Sequence, residues 1–315
     1  VSLEVELHAG LERFWRVAGT ILHGSPVHLV APDQETFSLK RNFFSILFLY
    51  SYYRAGITRE RRILYVAINQ CLRGMVTGCD NILDDEYKKT IETDLPQQAA
   101  RFRSVLDIML SDRILGEIVI EHCLSNGLPL GKMSAACRAS LHTLLLSGVQ
   151  EAAEEGGITD RLPPRDILEK IHHYKTGVLF QSTWAVPAVL EEELSPAGQA
   201  VQSALYRIGI GCQLLDDLVD LFGDLRDSHH NYLLSVIFHQ EPPEVWQRLC
   251  TIAEENEPTH HFYLEYPQLQ QRIRLLAEEY LERGLRQLFF AQHAFLVHPA
   301  IAFIEQRIGA LPTGR

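Results

Sequence analysis

The sequence predicts an all-α protein. Apolar residues recur with helical periodicity along almost the whole chain, and no convincing run alternates apolar and polar residues as a strand would. The interruptions contain the Gly and Pro residues that end helices, and none is long enough to be a domain linker. With 315 residues, 46% of them hydrophobic and 22% charged, the chain can bury a large core. We therefore expect one helical domain over residues 1–315.

The interruptions also predict where each helix begins and ends. Breaks are expected at segments such as GSP at 24–26, NGLPLG at 126–131 and GGITDRLPP at 156–164. The longest apolar run, FFSILFLYSYY at 43–53, is too short to cross a bilayer and should form a core helix. The expected helices span 2–23, 38–55, 60–88, 97–125, 131–154, 164–191, 195–224, 229–240, 243–255, 264–292 and 297–309.

Composition excludes some classes of function. A net charge of −11 without clustered Lys and Arg argues against a nucleic-acid surface. The six cysteines are scattered and form no CxxC pair, which is typical of reduced thiols in a cytoplasmic protein. No signal peptide or transmembrane segment is visible, although the chain starts at Val1 rather than Met, so a removed leader stays open.

The stretch DNILDDE at 80–86 places four acidic side chains beside an apolar run. On a helix, Asp80 and Asp84 would lie within about 40° of each other, with Lys88 one further turn along. Such a charge run is most simply a solvated helix face. A second stretch of the same design favours another interpretation.

That second stretch is QLLDDLVD at 213–220, where Gln213, Asp216, Asp220 and Asp224 would share one helix face. Like charges four residues apart destabilise a helix, and no Lys or Arg is spaced to relieve Asp216 or Asp220. Two such faces from different helices could supply the oxygen ligands of a metal site. Carboxylates without His or Cys favour Mg²⁺, which takes substrate phosphates as its other ligands.

A third segment, HHYKTGVLF at 172–180, contains a phosphate-binding combination. Lys175 offers a positive charge and Thr176 a hydroxyl group. The adjacent histidines at 172–173 diverge by about 100° on an α-helix, so we interpret them as ordinary core or surface residues rather than metal ligands.

In this order, DNILDDE, KTGVLF and GCQLLDDLVD resemble the motifs of the polyprenyl synthetase (trans-prenyltransferase) family of class I isoprenoid synthases. The resemblance is strong over residues 80–220. It implies a helical bundle around a central apolar cavity and Mg²⁺-dependent transfer of an allylic prenyl diphosphate onto isopentenyl diphosphate. A homodimer is compatible with it.

The resemblance also implies roles for individual residues. The implied metal ligands are Asp80, Asp84 and Asp216, supported by Asp217 and Asp220. The groups around the allylic diphosphate would be Lys175, Thr176 and Gln213, with further cationic groups at Lys40, Arg41, Lys88, Lys89 and Arg226. The floor of the cavity would be formed by Met75 and Val76.

Several positions depart from the family pattern. Asn81 stands where a second Asp is usual, and Asn81→Asp should be tolerated because the outer carboxylates are the expected ligands. Phe43 and Leu72 replace a basic residue and a His, which weakens the implied isopentenyl diphosphate site. Prenyl transfer is the favoured reaction. The alternatives are a terpene cyclase, a head-to-head-type synthase, a non-catalytic partner subunit and a helical scaffold whose acidic faces are solvated.

Overall fold

The structure is a computed structural model that describes residues 2–85, 87–191, 195–254 and 259–310. All regular elements in these ranges are helices, and the one antiparallel bridge recorded there, between Leu29 and Thr93, extends into no strand. The all-α prediction is confirmed. None of the helices in the described ranges is long and apolar enough to cross a membrane.

The principal helices, in chain order, begin and end as follows. They are α1 (Leu3–Leu22), α2 (Phe43–Arg54), α3 (Arg59–Leu83), α4 (Ala100–Ser125), α5 (Leu130–Glu154), α6 (164–181), α7 (Ala185–Leu190), α8 (Pro196–Val219), α9 (Leu221–Asp227), α10 (Tyr232–Gln240), α11 (Pro243–Glu254), α12 (Thr259–Glu265), α13 (Pro267–Leu288) and α14 (Val297–Ile308). Short 3₁₀ turns lie at Glu35–Phe37, Gln97–Ala99, Ser182–Trp184 and Ala291–Leu296.

Contacts divide the chain into two compact units, residues 1–144 with 182–199 and residues 145–181 with 200–315. The boundaries fall within or beside helices rather than in long linkers. The single domain expected over residues 1–315 stays a prediction.

In the first unit, α3 packs closely on α4 because two glycines face the neighbouring helix. A Cβ atom at Gly78 would lie 2.7 Å from Ile108 Cγ1, and one at Gly74 would collide with the Ser111 hydroxyl. These two positions are one turn apart, so they make a continuous small-residue strip along α3. The close contact fixes the end of α3, where the first acidic stretch begins.

A buried ion pair fastens α1 to α3 in the same unit. Both guanidinium edges of Arg62 bind the Glu6 carboxylate, with Nε–Oε2 and Nη2–Oε1 distances of 2.7 and 2.6 Å. Further along, Tyr52 Oη donates to the Thr183 carbonyl oxygen at 2.6 Å and Trp184 Nε1 donates to Ser51 Oγ at 2.9 Å. These bonds attach residues 182–184 to α2.

In the second unit, glycines again allow close helix contacts. A Cβ atom at Gly211 would lie 2.7 Å from Leu281 Cγ, and one at Gly284 would lie 2.8 Å from Ile208 Cγ1, so α8 and α13 approach closely. A Cβ atom at Gly209 would lie 2.6 Å from the Thr176 carbonyl oxygen. The α8 backbone therefore lies directly against α6.

Several expected helices differ from the observed ones. The helix expected over 264–292 is observed at Pro267–Leu288, and the short helix Thr259–Glu265 was not predicted. The helix expected over 60–88 ends at Leu83, because Asp84 leaves helical geometry and Asp85 adopts the left-handed region at φ 51°. Lys88 therefore does not lie one helical turn beyond Asp84, and that prediction was wrong. The helix expected over 195–224 is interrupted at Asp220.

The helix expected over 164–191 has a more unusual form. An α-helical turn at Pro164–Asp166 is followed by a π-helical segment at Ile167–Val178 and a second α-helical turn at Leu179–Gln181. Because π-helices bond residue i to i+5, side chains in this segment are not spaced as in an α-helix. His172 and His173 nevertheless have different partners, because His172 Nε2 lies 3.0 Å from Asp217 Oδ2 and His173 Nδ1 lies 3.0 Å from Tyr206 Oη.

Candidate functional site

The second acidic stretch runs across the junction of α8 and α9. The N–H of Asp220 donates to the Asp216 carbonyl oxygen at 2.9 Å, and the N–H of Asp224 donates to the Asp220 carbonyl oxygen at 2.8 Å. Helical hydrogen bonding thus continues through the interruption. Asp216 and Asp224 are half-buried, and Asp220 is exposed.

Asp217 occupies a different environment from its neighbour Asp216. Its side chain is only 1% exposed. Its carboxylate accepts hydrogen bonds from the N–H of Tyr232 at 2.7 Å and from Gln213 Nε2 at 3.2 Å. The structure therefore places Asp217 inside the second unit, with its oxygens engaged by protein donors.

Asn231 joins the residues of this acidic stretch. Its Nδ2 donates both to the Asp217 carbonyl oxygen and to Asp224 Oδ2, each at 2.8 Å. Burial, reinforced by the charge of Asp217, raises the pKa of the Asp224 carboxyl to about 8. Sequence reasoning missed Asn231 as a site residue, although its position before the apolar helix α10 is a recognisable N-cap signal.

The KT segment meets the QLLDD segment through side chains. Thr176 Oγ1 donates to Gln213 Oε1 at 3.0 Å, and Gln213 Nε2 donates in turn to Asp217. This contact is possible because Gly209 allows α8 to approach the π-helical part of α6. Two motifs that are separate in sequence are thus brought together within the second unit.

Lys175 is mostly buried among carboxylates. Its Nζ lies 3.4 Å from Glu151 Oε2. Burial alone would lower the pKa of the Lys175 ammonium group, but the carboxylates of Glu151, Glu154, Asp224 and Asp217 raise it above its ordinary value. The lysine is therefore charged at neutral pH.

His172 is a further residue that sequence reasoning missed. It is 1% exposed, and its Nε2 lies 3.0 Å from Asp217 Oδ2. The two groups are not aligned for a hydrogen bond, so we interpret the contact as electrostatic. The sequence interpretation of His172 as an ordinary core or surface residue agrees with its burial but did not indicate its contact with Asp217.

The first acidic stretch lies at the end of α3 in the other unit. Asp80 is half-buried in the last turn, and Asp84 is exposed just beyond the helix, with its N–H donating to the Asp80 carbonyl oxygen at 2.8 Å. Asp85 forms an exposed ion pair with Arg101 at 2.9 Å. Asn81, between these acids, is buried.

The expected basic residues have different surroundings. Lys88 and Lys89 are exposed, and Lys89 Nζ binds Glu92 Oε2 at 2.7 Å. Arg41 Nη2 donates to the Lys89 carbonyl oxygen at 3.4 Å, while Lys40 is exposed. A cleft of about 470 Å³ beside Lys89 is lined mainly by polar side chains.

The remaining predicted site residues, Met75, Val76 and Arg226, lie on helices and differ in solvent exposure. Met75 and Val76 are half-buried on α3, and Arg226 is exposed on α9. The central apolar cavity implied for Met75 and Val76 stays a prediction.

The donor chemistry fits a hard divalent cation. Among the described residues, no three His, Cys, Asp or Glu side chains converge as a ready-made metal cage. Mg²⁺ does not require one, because it is usually held by one or two carboxylates and completes its octahedron with waters and substrate phosphates. Asp216 and Asp220, and separately Asp80 and Asp84, are the accessible carboxylates that could hold such an ion.

The structure resembles solved prenyl diphosphate synthases over nearly its full length. An octaprenyl pyrophosphate synthase from Helicobacter pylori matches with a TM-score of 0.64 at 13% identity, covering 98% of this chain and 99% of that one. A geranylgeranyl pyrophosphate synthetase from Pyrococcus horikoshii matches with a TM-score of 0.59 at 16% identity, covering 98% and 100%. A geranyltransferase from Legionella pneumophila gives 0.58 at 13% identity, covering 96% of each chain.

Comparison of the sequence alone found less. No protein-family model matches the chain, and no curated protein matches it. The structural matches, and not the sequence, show that the chain has the all-α isoprenoid-synthase fold.

Proposed function

We propose that this protein is a Mg²⁺-dependent prenyltransferase that joins an allylic prenyl diphosphate to isopentenyl diphosphate. The products are a longer prenyl diphosphate and pyrophosphate. The proposal rests on the isoprenoid-synthase fold together with the order of three motifs along the chain. Fold alone does not fix activity, so the site residues have to support it.

One observation carries the proposal. Thr176 and Gln213 form a hydrogen bond of 3.0 Å, which joins the KT motif to the helix end that bears Asp216. The Lys175 ammonium group, the Thr176 hydroxyl group and the accessible Asp216 carboxylate thus belong to one small region of the second unit. This combination suits a metal-bound diphosphate better than it suits a solvated acidic face.

The chemistry proposed is ionisation of the allylic C–O bond, in which pyrophosphate leaves with the bonding electron pair. When bound, Mg²⁺ would neutralise charge on the departing pyrophosphate. Lys175 would supply further positive charge, and Thr176 would donate a hydrogen bond to a phosphate oxygen. The double bond of isopentenyl diphosphate then attacks the allylic carbon, and loss of a proton restores a neutral prenyl chain.

Terpene cyclisation is a second candidate, favoured by one specific contact. Lys89 is already paired with Glu92 at 2.7 Å, which reduces the positive charge available for a second diphosphate. A cyclase needs no such second site, because its cation is attacked by a double bond of the same molecule. Dependence on isopentenyl diphosphate therefore separates the two reactions.

The test is product analysis by mass spectrometry. The protein is incubated with Mg²⁺ and each allylic diphosphate from five to twenty carbons, with and without isopentenyl diphosphate. Prenyl transfer predicts that the allylic substrate is consumed only when isopentenyl diphosphate is present. Rapid release of pyrophosphate from the allylic substrate alone, with a hydrocarbon or alcohol as product, would contradict prenyl transfer, and a cyclic product would favour cyclisation.

Removing a proposed metal ligand should abolish most of this activity. We expect Asp84→Ala and Asp216→Ala each to lower turnover at least about 100-fold, because stabilisation of the leaving group by the metal is worth several kcal/mol. Asp227→Ala removes an exposed carboxylate from the same region as Asp216 and serves as the matched control. Near-normal turnover by either ligand variant would contradict the metal assignment.

A further inference from the structure

Asn81 occupies a position where the family resemblance leads one to expect an acid, and its surroundings give it another use. The side chain is 2% exposed in the last turn of α3. Its Oδ1 accepts the N–H of Lys88 at 2.7 Å, and its Nδ2 donates to the Lys88 carbonyl oxygen at 3.1 Å. Both ends of the amide are therefore bound to the backbone of one residue, seven positions further along the chain.

A second buried side chain holds the same segment from α4. Asp107 Oδ2 accepts the Thr90 hydroxyl at 2.7 Å, and both residues are buried. The Asp107 carboxylate also accepts a hydrogen bond from the backbone of Ile91. Residues 88–91 are thus fixed by α3 on one side and by α4 on the other, while Lys88 and Lys89 are exposed. Lys89 Nζ lies 2.7 Å from Glu92 Oε2, an exposed ion pair that a bound diphosphate would replace.

We propose that Asn81 is a positioning residue that holds Lys88 and Lys89 in place for a substrate diphosphate. This inference rests on the proposed function, which gives the two lysines a diphosphate to bind. A lysine on a fixed backbone loses less conformational freedom when it binds a phosphate than a lysine on a loose loop. Asn81 therefore acts through the lysines and does not touch the ligand.

The same geometry revises the expectation that Asn81→Asp is tolerated. The Asn81 amide accepts from an N–H through Oδ1 and donates to a C=O through Nδ2 at the same time, whereas an ionised carboxylate can only accept. A carboxylate at this position would keep the first bond but would place an oxygen against the Lys88 carbonyl oxygen in a buried site. We expect Asn81→Asp to loosen the segment in the same way as Asn81→Ala.

The test is a double-mutant cycle on the affinity for inorganic pyrophosphate in the presence of Mg²⁺, measured by titration calorimetry. In the wild-type background, Asn81→Ala should raise Kd about 5–10-fold, a loss of about 1–1.4 kcal/mol. In the Lys88→Ala/Lys89→Ala background the same substitution should change Kd less than about 2-fold, because the groups it positions are gone.

A matched control separates positioning from general loss of stability. Asn69 is another buried amide on α3, bonded to Tyr52 Oη at 3.0 Å, and Asn69→Ala should lower the melting temperature without changing Kd. Thr90→Val loosens the same segment from the α4 side, and it should reproduce the effect of Asn81→Ala on Kd. This variant keeps the proposal testable if Asn81→Ala does not fold.

The outcomes distinguish this inference from the proposed function. The positioning role is overturned if Asn81→Ala changes Kd equally in both backgrounds or leaves Kd unchanged. It is also overturned if the wild type does not bind pyrophosphate. A cycle with the expected coupling, in a protein that converts no prenyl diphosphate, would instead contradict the proposed reaction. In active protein, Asn81→Ala should raise the KM for the diphosphate held by the lysines more than it lowers kcat.

Discussion

Asp216 and Asp217 are neighbours in sequence, and substituting each by Asn should separate ligand binding from folding. The Asp217 carboxylate is buried and accepts from the Tyr232 N–H and from Gln213 Nε2. In Asp217→Asn, one of these donors would face an NH₂ group instead of an oxygen. Asp216 is half-buried and has the accessible carboxylate that we propose as a metal ligand.

The expected size of the folding effect follows from these contacts. Hydrogen bonds to charged groups contribute about 1.5–3 kcal/mol, and an unsatisfied buried group costs about 1–3 kcal/mol, so we expect Asp217→Asn to destabilise by about 2–3 kcal/mol. With 315 residues and an unfolding entropy of about 2.1 cal/mol/K per residue, this lowers Tm by about 3–5 °C. The Tm of Asp216→Asn should stay within about 1 °C of the wild-type value, because substitutions of solvent-accessible side chains usually change stability little.

Thermal unfolding with and without Mg²⁺ and inorganic pyrophosphate measures both effects at once. At a pyrophosphate concentration of about 100 Kd, binding stabilises the folded state by about 2.7 kcal/mol. Asp217→Asn should start from a lower Tm and keep this increase, whereas Asp216→Asn should start near the wild type and lose it. The reasoning is refuted if Asp217→Asn melts like the wild type and no longer responds to the ligand.

Two further predictions concern α3 and α4. If Met75 lies below the growing prenyl chain, Met75→Phe should shorten the longest product of an active enzyme, since a rigid ring fills space that the thioether leaves open. Met75→Leu is the control. An unchanged chain-length distribution in Met75→Phe would show that Met75 does not limit chain length. Burial raises the pKa of Asp107 to about 6, so the folded state holds its proton more tightly than the unfolded state and loses stability as pH rises from about 4 to 6. Asp107→Asn cannot ionise, and its stability relative to wild type should therefore rise by about 2 kcal/mol between pH 4.5 and 7.5. Urea unfolding at both pH values measures this, and a constant difference would contradict it.

Several helix boundaries could be predicted from local sequence because local chemistry determines them. The expected helix over 243–255 is observed at Pro243–Glu254, and its first residue is the proline that favours the start of a helix. Likewise, the helix expected over 131–154 is observed at Leu130–Glu154, just before the GG pair at 156–157. In both cases the signals lie within a few residues of the boundary.

The end of α3 and the π-helical segment could not be predicted in the same way. Periodicity continues past Leu83 in the sequence, but the chain turns at Asp85 and residue 88 returns to pair with Asn81. The π-helical segment Ile167–Val178 packs against Gly209, more than thirty positions away. The first feature depends on a return of the chain onto α3 and the second on a partner distant in sequence, so helical periodicity alone signals neither.

Two carboxylate stretches, a Lys–Thr pair between them and an all-α fold could all be predicted from residue type and periodicity. Helical periodicity and residue type are local properties, so they can be recognised in the amino-acid sequence alone. Which of two adjacent aspartates is buried depends on tertiary contacts, because the N–H of Tyr232 and the ring of His172 approach Asp217 from other elements. Tertiary contacts likewise show that the Asn81 amide binds the backbone of Lys88, whereas the motif comparison showed only an Asn in place of an Asp. Burial and hydrogen-bond partners are set by segments that meet only when the chain folds, and they determine what each polar side chain can do.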